Sequence, residues 1–307
     1  MGAGVTAAPD DFVQTFQIEG MNVRGRIVRL GAVADRVLQA HGYPDAVSAL
    51  TGEALAIASM LGASLKFDGV LTLQTRGGGP LRMLVADFSS PGVVRACAAF
   101  DKDVELPPQF AALHGEGSFA LTIDQGADME RYQGIVPLTP EGLVASALEY
   151  FRQSEQIPTA MKAVAAPLVL READGKLRRH WRAGGIMIQN MAVLGGTPLA
   201  ASGDPDEDFR RAEILMNTTE DHELLDPQLE AERLLYRLFH EDGVRVFPHQ
   251  ALTFGCRCSR ERVGAVLAQY PAEDLSDLLI DGEIVATCEF CSTDYRFKPE
   301  ETGALPV

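Results

Sequence analysis

Four cysteines near the C-terminus constrain this chain more than any other feature. Phe254-Gly-Cys256-Arg257-Cys258-Ser259 holds a CxC and Thr287-Cys288-Glu289-Phe290-Cys291-Ser292 a CxxC, with 29 residues from Ser259 through Thr287 between them. That interval accommodates two short helices and a turn, enough to bring the pairs together. Four thiolates at one point suit zinc, which takes tetrahedral all-sulfur sites with Zn–S near ~2.3 Å, and closed sites of this kind are usually structural. The spacing therefore predicts one zinc ion per chain held by Cys256, Cys258, Cys288 and Cys291. Two structural disulfides fit less well, because nothing else in the chain looks secreted.

The flanking residues support a small folded module. Ser259 is placed to cap a helix whose Val263, Val266, Leu267 and Tyr270 recur on one face. Cys258 then precedes a helix N-terminus, and that positive end, with Arg257, Arg260 and Arg262 nearby, is expected to lower thiol pKa and make the sulfurs reactive. Asp281-Gly282 signals a turn, Glu283 to Thr287 a strand, and Tyr295 and Phe297 alternate along another strand. Most all-cysteine zinc sites are inert staples; the tight CxC and the arginines pull toward a redox-labile one. A module this small lacks a self-sufficient core, whereas structural zinc contributes ~10–16 kcal/mol of apparent binding free energy. Oxidised sulfurs are no longer thiolate ligands, so oxidation becomes unfolding.

Composition narrows the class of partner. The 307 residues are 46% hydrophobic and 23% charged, ordinary for a globular chain of one or two domains, and the net charge of −16 disfavours nucleic acid and anionic membranes. Five cysteines and a first stretch without a basic-then-apolar pattern suggest a reducing cytoplasm.

In chain order, alternation predicts strands over 11–17 and 22–29, a helix near 33–39, and a buried helix over 45–65. Arg24-Gly25-Arg26 could bind an anion, but the plainer expectation places these arginines on the wet side of a strand. A meander follows at 70–75, 81–88 and 93–100, with Arg76-Gly-Gly-Gly-Pro80 as a hairpin turn and Cys97 as a small core residue. Strands are expected at 118–124 and 132–137. Thr139-Pro140 reads as N-cap and first helical residue of a helix to about 155. A hairpin pairs 160–170 with 184–192. His41, His114 and His180 have no motif partner and are expected to be exposed or structurally bonded, and no catalytic set is assembled, which predicts a non-enzyme.

Between Gly203 and Glu232 eleven acids face two arginines, −9 of the chain's −16. Helical pattern persists through Phe209 to Met216, and again after Asp226-Pro227 through Leu234, Leu235, Leu238 and Phe239 to Gly243. Dense like charge makes such helices dependent on docking.

The chain resembles the heat shock protein 33 family of redox-regulated chaperones over nearly its whole length. The resemblance rests on Gly52-Glu-Ala-Leu-Ala56, Ser64-Leu-Lys-Phe-Asp-Gly69 with Thr72-Leu-Gln-Thr75, Tyr132-Gln-Gly134 with Val136-Pro137, and Tyr150-Phe-Arg-Gln-Ser-Glu-Gln156. Ala183-Gly-Gly185, Phe239-His-Glu-Asp-Gly243 and the four cysteines complete it. It implies an ATP-independent holdase that is off when reduced and zinc-bound. Under oxidative and heat stress, Cys256–Cys258 and Cys288–Cys291 disulfides would form, zinc would leave, the switch and linker would unfold, and a homodimer would hold unfolding client proteins. The expected fold is α+β: a mixed α/β core of antiparallel-rich sheets with packed helices (1–195), an acidic helical linker (196–243) and a four-cysteine zinc module (244–307). A thiol-disulfide oxidoreductase using Cys288 and Cys291, or a nucleic-acid-binding zinc ribbon, are the alternatives; the first wants its CxxC opening a helix, the second a basic surface.

Overall fold

Alternating apolar residues build two six-stranded sheets in the computed structural model, which describes residues 10–65, 68–126, 129–171, 174–191 and 204–302. The elements begin with β1 (Phe12–Ile18), β2 (Val23–Leu30), α1 (Ala32–Gln39), α2 (Asp45–Gly62), β3 (Val70–Gly77), β4 (Leu81–Ser89) and β5 (Val93–Phe100). Next come α3 (Phe110–His114), β6 (Gly117–Asp124), β7 (Tyr132–Pro137), α4 (Leu143–Tyr150) running on as a π-helical turn (Phe151–Glu155), β8 (Thr159–Arg171) and β9 (Leu177–Asn190). Then follow α5 (Pro205–Asn217), α6 (Asp221–Leu225), α7 (Ala231–Phe239), β10 (Val244–Val246), β11 (Gln250–Ala251) and β12 (Thr253–Phe254). These lie in one compact unit, Met1–Phe254. The second unit, Gly255–Val307, holds α8 (Arg260–Leu267), α9 (Ala272–Leu275), β13 (Leu279–Ile280), β14 (Glu283–Thr287) and β15 (Asp294–Phe297).

The first sheet runs β10-β1-β2-β9-β8 with β11 also on β1, and the second runs β12-β5-β4-β3-β6-β7. Every pairing is antiparallel except β12 beside β5. The period of two decides which layer each strand residue joins. In β2, Val23 and Ile27 enter one core with α5 and α7, while Val28 and Leu30 enter the other with α1 and α2. Helix α2 is apolar nearly all round and packs against strands of both sheets, as a buried helix must. At the Gly184-Gly185 pair of β9, a Cβ would meet the Leu224 carbonyl oxygen at 2.4 Å from one residue and Met60 Cε at 2.8 Å from the other. Glycine there lets helices close on both faces of one strand.

Three expectations are corrected. Thr139 does not cap a helix: its N–H is taken by Ser146 Oγ and its hydroxyl donates to the Gly142 carbonyl, so α4 starts at Leu143 after Gly142 at φ 133°. Strand β9 begins at Leu177 rather than Gly184, because β8 pairs it from Arg171↔Leu177 onward and carries the charged residues 178–180 past the core; Ala192 lies outside the described residues. Arg26 is not on a wet strand face but buried, 7% exposed. The histidines are structurally bonded: His41 to the Val37 carbonyl, His180 to Asp35 at 2.9 Å, and His114 to Thr75 Oγ1 at 3.3 Å. Burial holds the His114 imidazole down to about 4, hence neutral. Cys97 is buried within β5.

The acidic segment is docked on the first sheet. Ala212, Met216, Leu224, Leu234, Leu235, Leu238 and Phe239 share a core with Phe12, Phe16, Val23 and Ile27, and Phe239 stacks on Phe16 with ring centroids 5.7 Å apart. Cations from the strands meet carbonyls where these helices end. Lys162 Nζ donates to the Thr219 carbonyl just past α5, Arg29 to the Glu223 and Asp226 carbonyls, and Arg182 Nε to the Leu225 carbonyl at 2.7 Å. Positive charge on the last carbonyls opposes the helix dipole and satisfies groups the helix leaves unpaired. Short α6, with its Glu220/Glu223 capping box, has too few residues to show a period in sequence.

Glu53 of α2 lies near this dock. Burial first, and the Asp221 charge of α6, push its carboxyl up to about 7 against the Val144 N–H, which lowers it. The native state therefore holds a proton that the unfolded chain releases above about 4.5. The associated stability is full below that pH and is lost as pH rises through about 7. Glu53→Gln should raise the unfolding free energy at pH 8, by up to ~3 kcal/mol, and so the melting midpoint there, and change little at pH 5. Thermal unfolding at both pH values checks this; equal shifts at both would contradict it.

Candidate metal centre

Unit two has a core of only four buried apolar side chains among the described residues, Leu267, Leu275, Ile284 and Phe297. Ser259 caps α8 by accepting from the Arg262 N–H at 3.2 Å. Val263 and Leu267 face the core, while Val266 (53% exposed) and Tyr270 (55%) do not, contrary to expectation. The helix ends at Leu267, so Tyr270 falls past it. Asp281 and Gly282, at φ 52° and 83°, form the two-residue turn joining β13 to β14.

The CxxC occupies the tip of the β14–β15 hairpin, beyond the Thr287↔Asp294 pair. Its turn is closed by Ser292 N–H to the Cys288 carbonyl at 2.8 Å and Cys288 N–H to the Thr293 carbonyl at 3.0 Å. A CxxC at a hairpin tip, not opening a helix after a strand, lacks the setting of a thioredoxin-like motif. The CxC leads directly into the α8 cap. The four Sγ atoms lie within 4.8 Å of one another, with Cys256 to Cys288 at 3.7 Å and Cys258 to Cys291 at 3.4 Å, and none of the four is in a disulfide. A sulfur tetrahedron around zinc has edges of about 3.8 Å when Zn–S is ~2.3 Å, so the donor set fits.

Protonation points the same way. Burial pushes Cys256 up, but the Cys258 N–H and the neighbouring sulfurs outweigh it and bring the thiol to about 7. Cys258 is pushed up to about 12, by burial first and then by the other sulfurs, against the Tyr295 hydroxyl that donates to it at 3.1 Å. Burial also raises Cys288. Thiolates this close repel, and a divalent cation lets all four ionise. The expected lowering of Cys258 by the arginines is thus corrected. Arg260 pairs with Glu301 at 3.0 Å and lies 4.4 Å from the Phe297 ring, and Arg262 donates to the Arg257 carbonyl at 2.6 Å. Tyr295 and Thr293, the latter 3.2 Å from Cys291 Sγ, are neighbours that sequence reasoning did not assign. The one available signal was that Tyr295 shares a strand face with core Phe297.

Fold and site together define a class: α+β proteins in which acidic helices cover one face of a sheet and a small unit with four convergent cysteines ends the chain. The family model described as Hsp33 protein matches residues 11–298. A 33 kDa chaperonin of Caulobacter vibrioides is 42% identical over 302 residues, covering 96% of this chain and 97% of the relative. One from Pseudomonas fluorescens is 36% identical over 308 residues, covering 98% and 95%. The crystal structure of the 33 kDa chaperonin (heat shock protein 33 homolog) from Thermotoga maritima superposes with a TM-score of 0.72 at 25% identity, covering 95% of this chain and 97% of that one. The chain belongs to the Hsp33 family. No helix among the described residues is long and apolar enough to cross a membrane.

Proposed function

We propose that this protein is a redox-regulated, ATP-independent holdase of the cytoplasm, with 1–195 as chaperone core, 196–243 as linker and 244–307 as switch. The observation that carries the reading is the convergence of four cysteines, none in a disulfide, in a unit whose apolar core is too small to stand alone. Cys256, Cys258, Cys288 and Cys291 are the zinc ligands. Bound zinc would keep all four sulfurs ionised and tie the two knuckles together.

Activation begins at the sulfurs. Each thiolate pair, Cys256 with Cys258 and Cys288 with Cys291, gives two electrons to one peroxide. An S–S bond forms, the O–O bond breaks, and two solvent protons complete two waters. Disulfide sulfurs are no longer ligands, so unit two loses its cross-link and unfolds. The linker helices then leave the sheet, exposing their own apolar faces and that of β1 and β2, a surface suited to unfolding client proteins and to a second copy of the chain.

Light scattering of a heat-aggregating client tests this. Protein treated with peroxide at elevated temperature should suppress aggregation and reduced, zinc-loaded protein should not. Equal protection in both states would overturn the redox switch.

A further inference from the structure

A cavity of about 580 Å³ lies in unit one, away from the cysteines in sequence. The first sheet contributes Thr15, Arg24, Arg26 and Gln189 to its lining, and the second contributes Leu71, Leu121 and Ile123. The last turn of α2 adds Leu61, the segment just after it adds Leu65, and the π-helical turn adds Phe151. Arg26 is set in β2 opposite Thr15 and Met187, on the face away from the linker helices.

Among the described residues its guanidinium has no counterion. Arg26 is only 7% exposed, its Nε is buried with no acceptor, and its one hydrogen bond is a long 3.5 Å contact to Gln189 Oε1. Arg24, whose Nε is also buried without an acceptor, lies 5.9 Å from the Phe247 ring. Among the described residues neither has a carboxylate partner. Burial, then the Arg24 charge, lowers the Arg26 pKa to about 10, so the group stays charged at neutral pH. Glu155 also lines the cavity, but it accepts from the Tyr150 hydroxyl at 3.0 Å and Tyr132 at 3.4 Å. An unpaired buried charge is strongly unfavourable, and a planar carboxylate on a guanidinium fork is the arrangement that relieves it best.

We propose that this cavity binds an amphiphilic carboxylate, with the carboxylate on Arg26 and Arg24 and a hydrocarbon body against Leu65, Leu71, Leu121 and Phe151. A phosphate would set several charged oxygens against that hydrocarbon, whereas a carboxylate needs only the arginine end. The site is independent of the redox reading, since it is tested in the reduced protein.

Calorimetric titration of the full reduced, zinc-loaded chain with decanoate, below its micelle concentration, tests the site. Decanoate should bind at least tenfold more tightly than 1-decanol or inorganic phosphate. Arg26→Met should weaken decanoate at least tenfold while melting no lower than the parent, because it removes an unpaired buried charge. Leu65→Trp, which fills the apolar part and leaves Arg26 in place, should also abolish binding. Equal binding of decanol, preferential binding of phosphate, a lowered melting point for Arg26→Met, or undiminished decanoate binding by either variant would overturn the proposal.

Discussion

Serine in place of Cys258, or zinc chelation under reducing conditions, should unfold residues 255–302 while the two sheets of the first unit stay folded. The lost stabilisation is ~10–16 kcal/mol, far more than the four buried side chains of that unit's core among the described residues can offset. Serine preserves the size of the thiol but is a poor zinc ligand, so packing around Tyr295 changes little and the effect isolates the metal. Hydrogen exchange should show protection vanishing from α8 and the β14–β15 hairpin, and a metallochromic dye should register one zinc released per chain as oxidant is added. Reduced protein that is free of metal and still protected there would refute the assignment.

Phe239→Ala should release α7 from the first sheet. Phe239 is fully buried and stacks on Phe16, and deleting a buried phenyl ring costs about 3–5 kcal/mol. Leu234, Leu235 and Leu238 share its core in α7, but α5 buries only Ala212 and Met216 and the short α6 only Leu224 and Leu225, so Phe239 is the largest buried apolar anchor of the linker helices. The variant should bind a hydrophobic dye, lose hydrogen-exchange protection over 231–239 and suppress client aggregation while still reduced and zinc-loaded. If the helix detaches and the reduced variant remains inactive, the surface beneath it is not the one that holds clients.

Much of this architecture is readable from local pattern. The meander β3–β4–β5 and the β6–β7 pair follow from alternation bounded by glycine and proline, and α2 reads as buried because it is apolar all round. The Ser259 cap and the Asp281-Gly282 turn come from residue chemistry that acts over two or three positions. Other features escaped for physical reasons. Helix α6 is a single turn, and Thr139 looks like a cap until Ser146 and Gly142 engage its polar groups. The charged start of β9 carries no strand signal of its own and is extended because β8 pairs with it.

The Arg24-Gly25-Arg26 strand separates the two levels most clearly. Its period of two is written in the residues, but period alone does not say whether the face bearing the arginines meets water or another layer. That was decided when β2 paired with distant β9 and both sheets closed around α2. The sequence by itself determined the two close cysteine pairs, most of the strands, the Ser259 cap and the amphipathic acidic helices, because each depends on residues a few positions apart. Only tertiary structure decided that the acidic helices dock on strand cations, that Tyr295 reaches Cys258, and that Arg26 is buried with no carboxylate partner among the described residues. Partners and burial are set by chain segments that meet only after folding, and no local pattern encodes them.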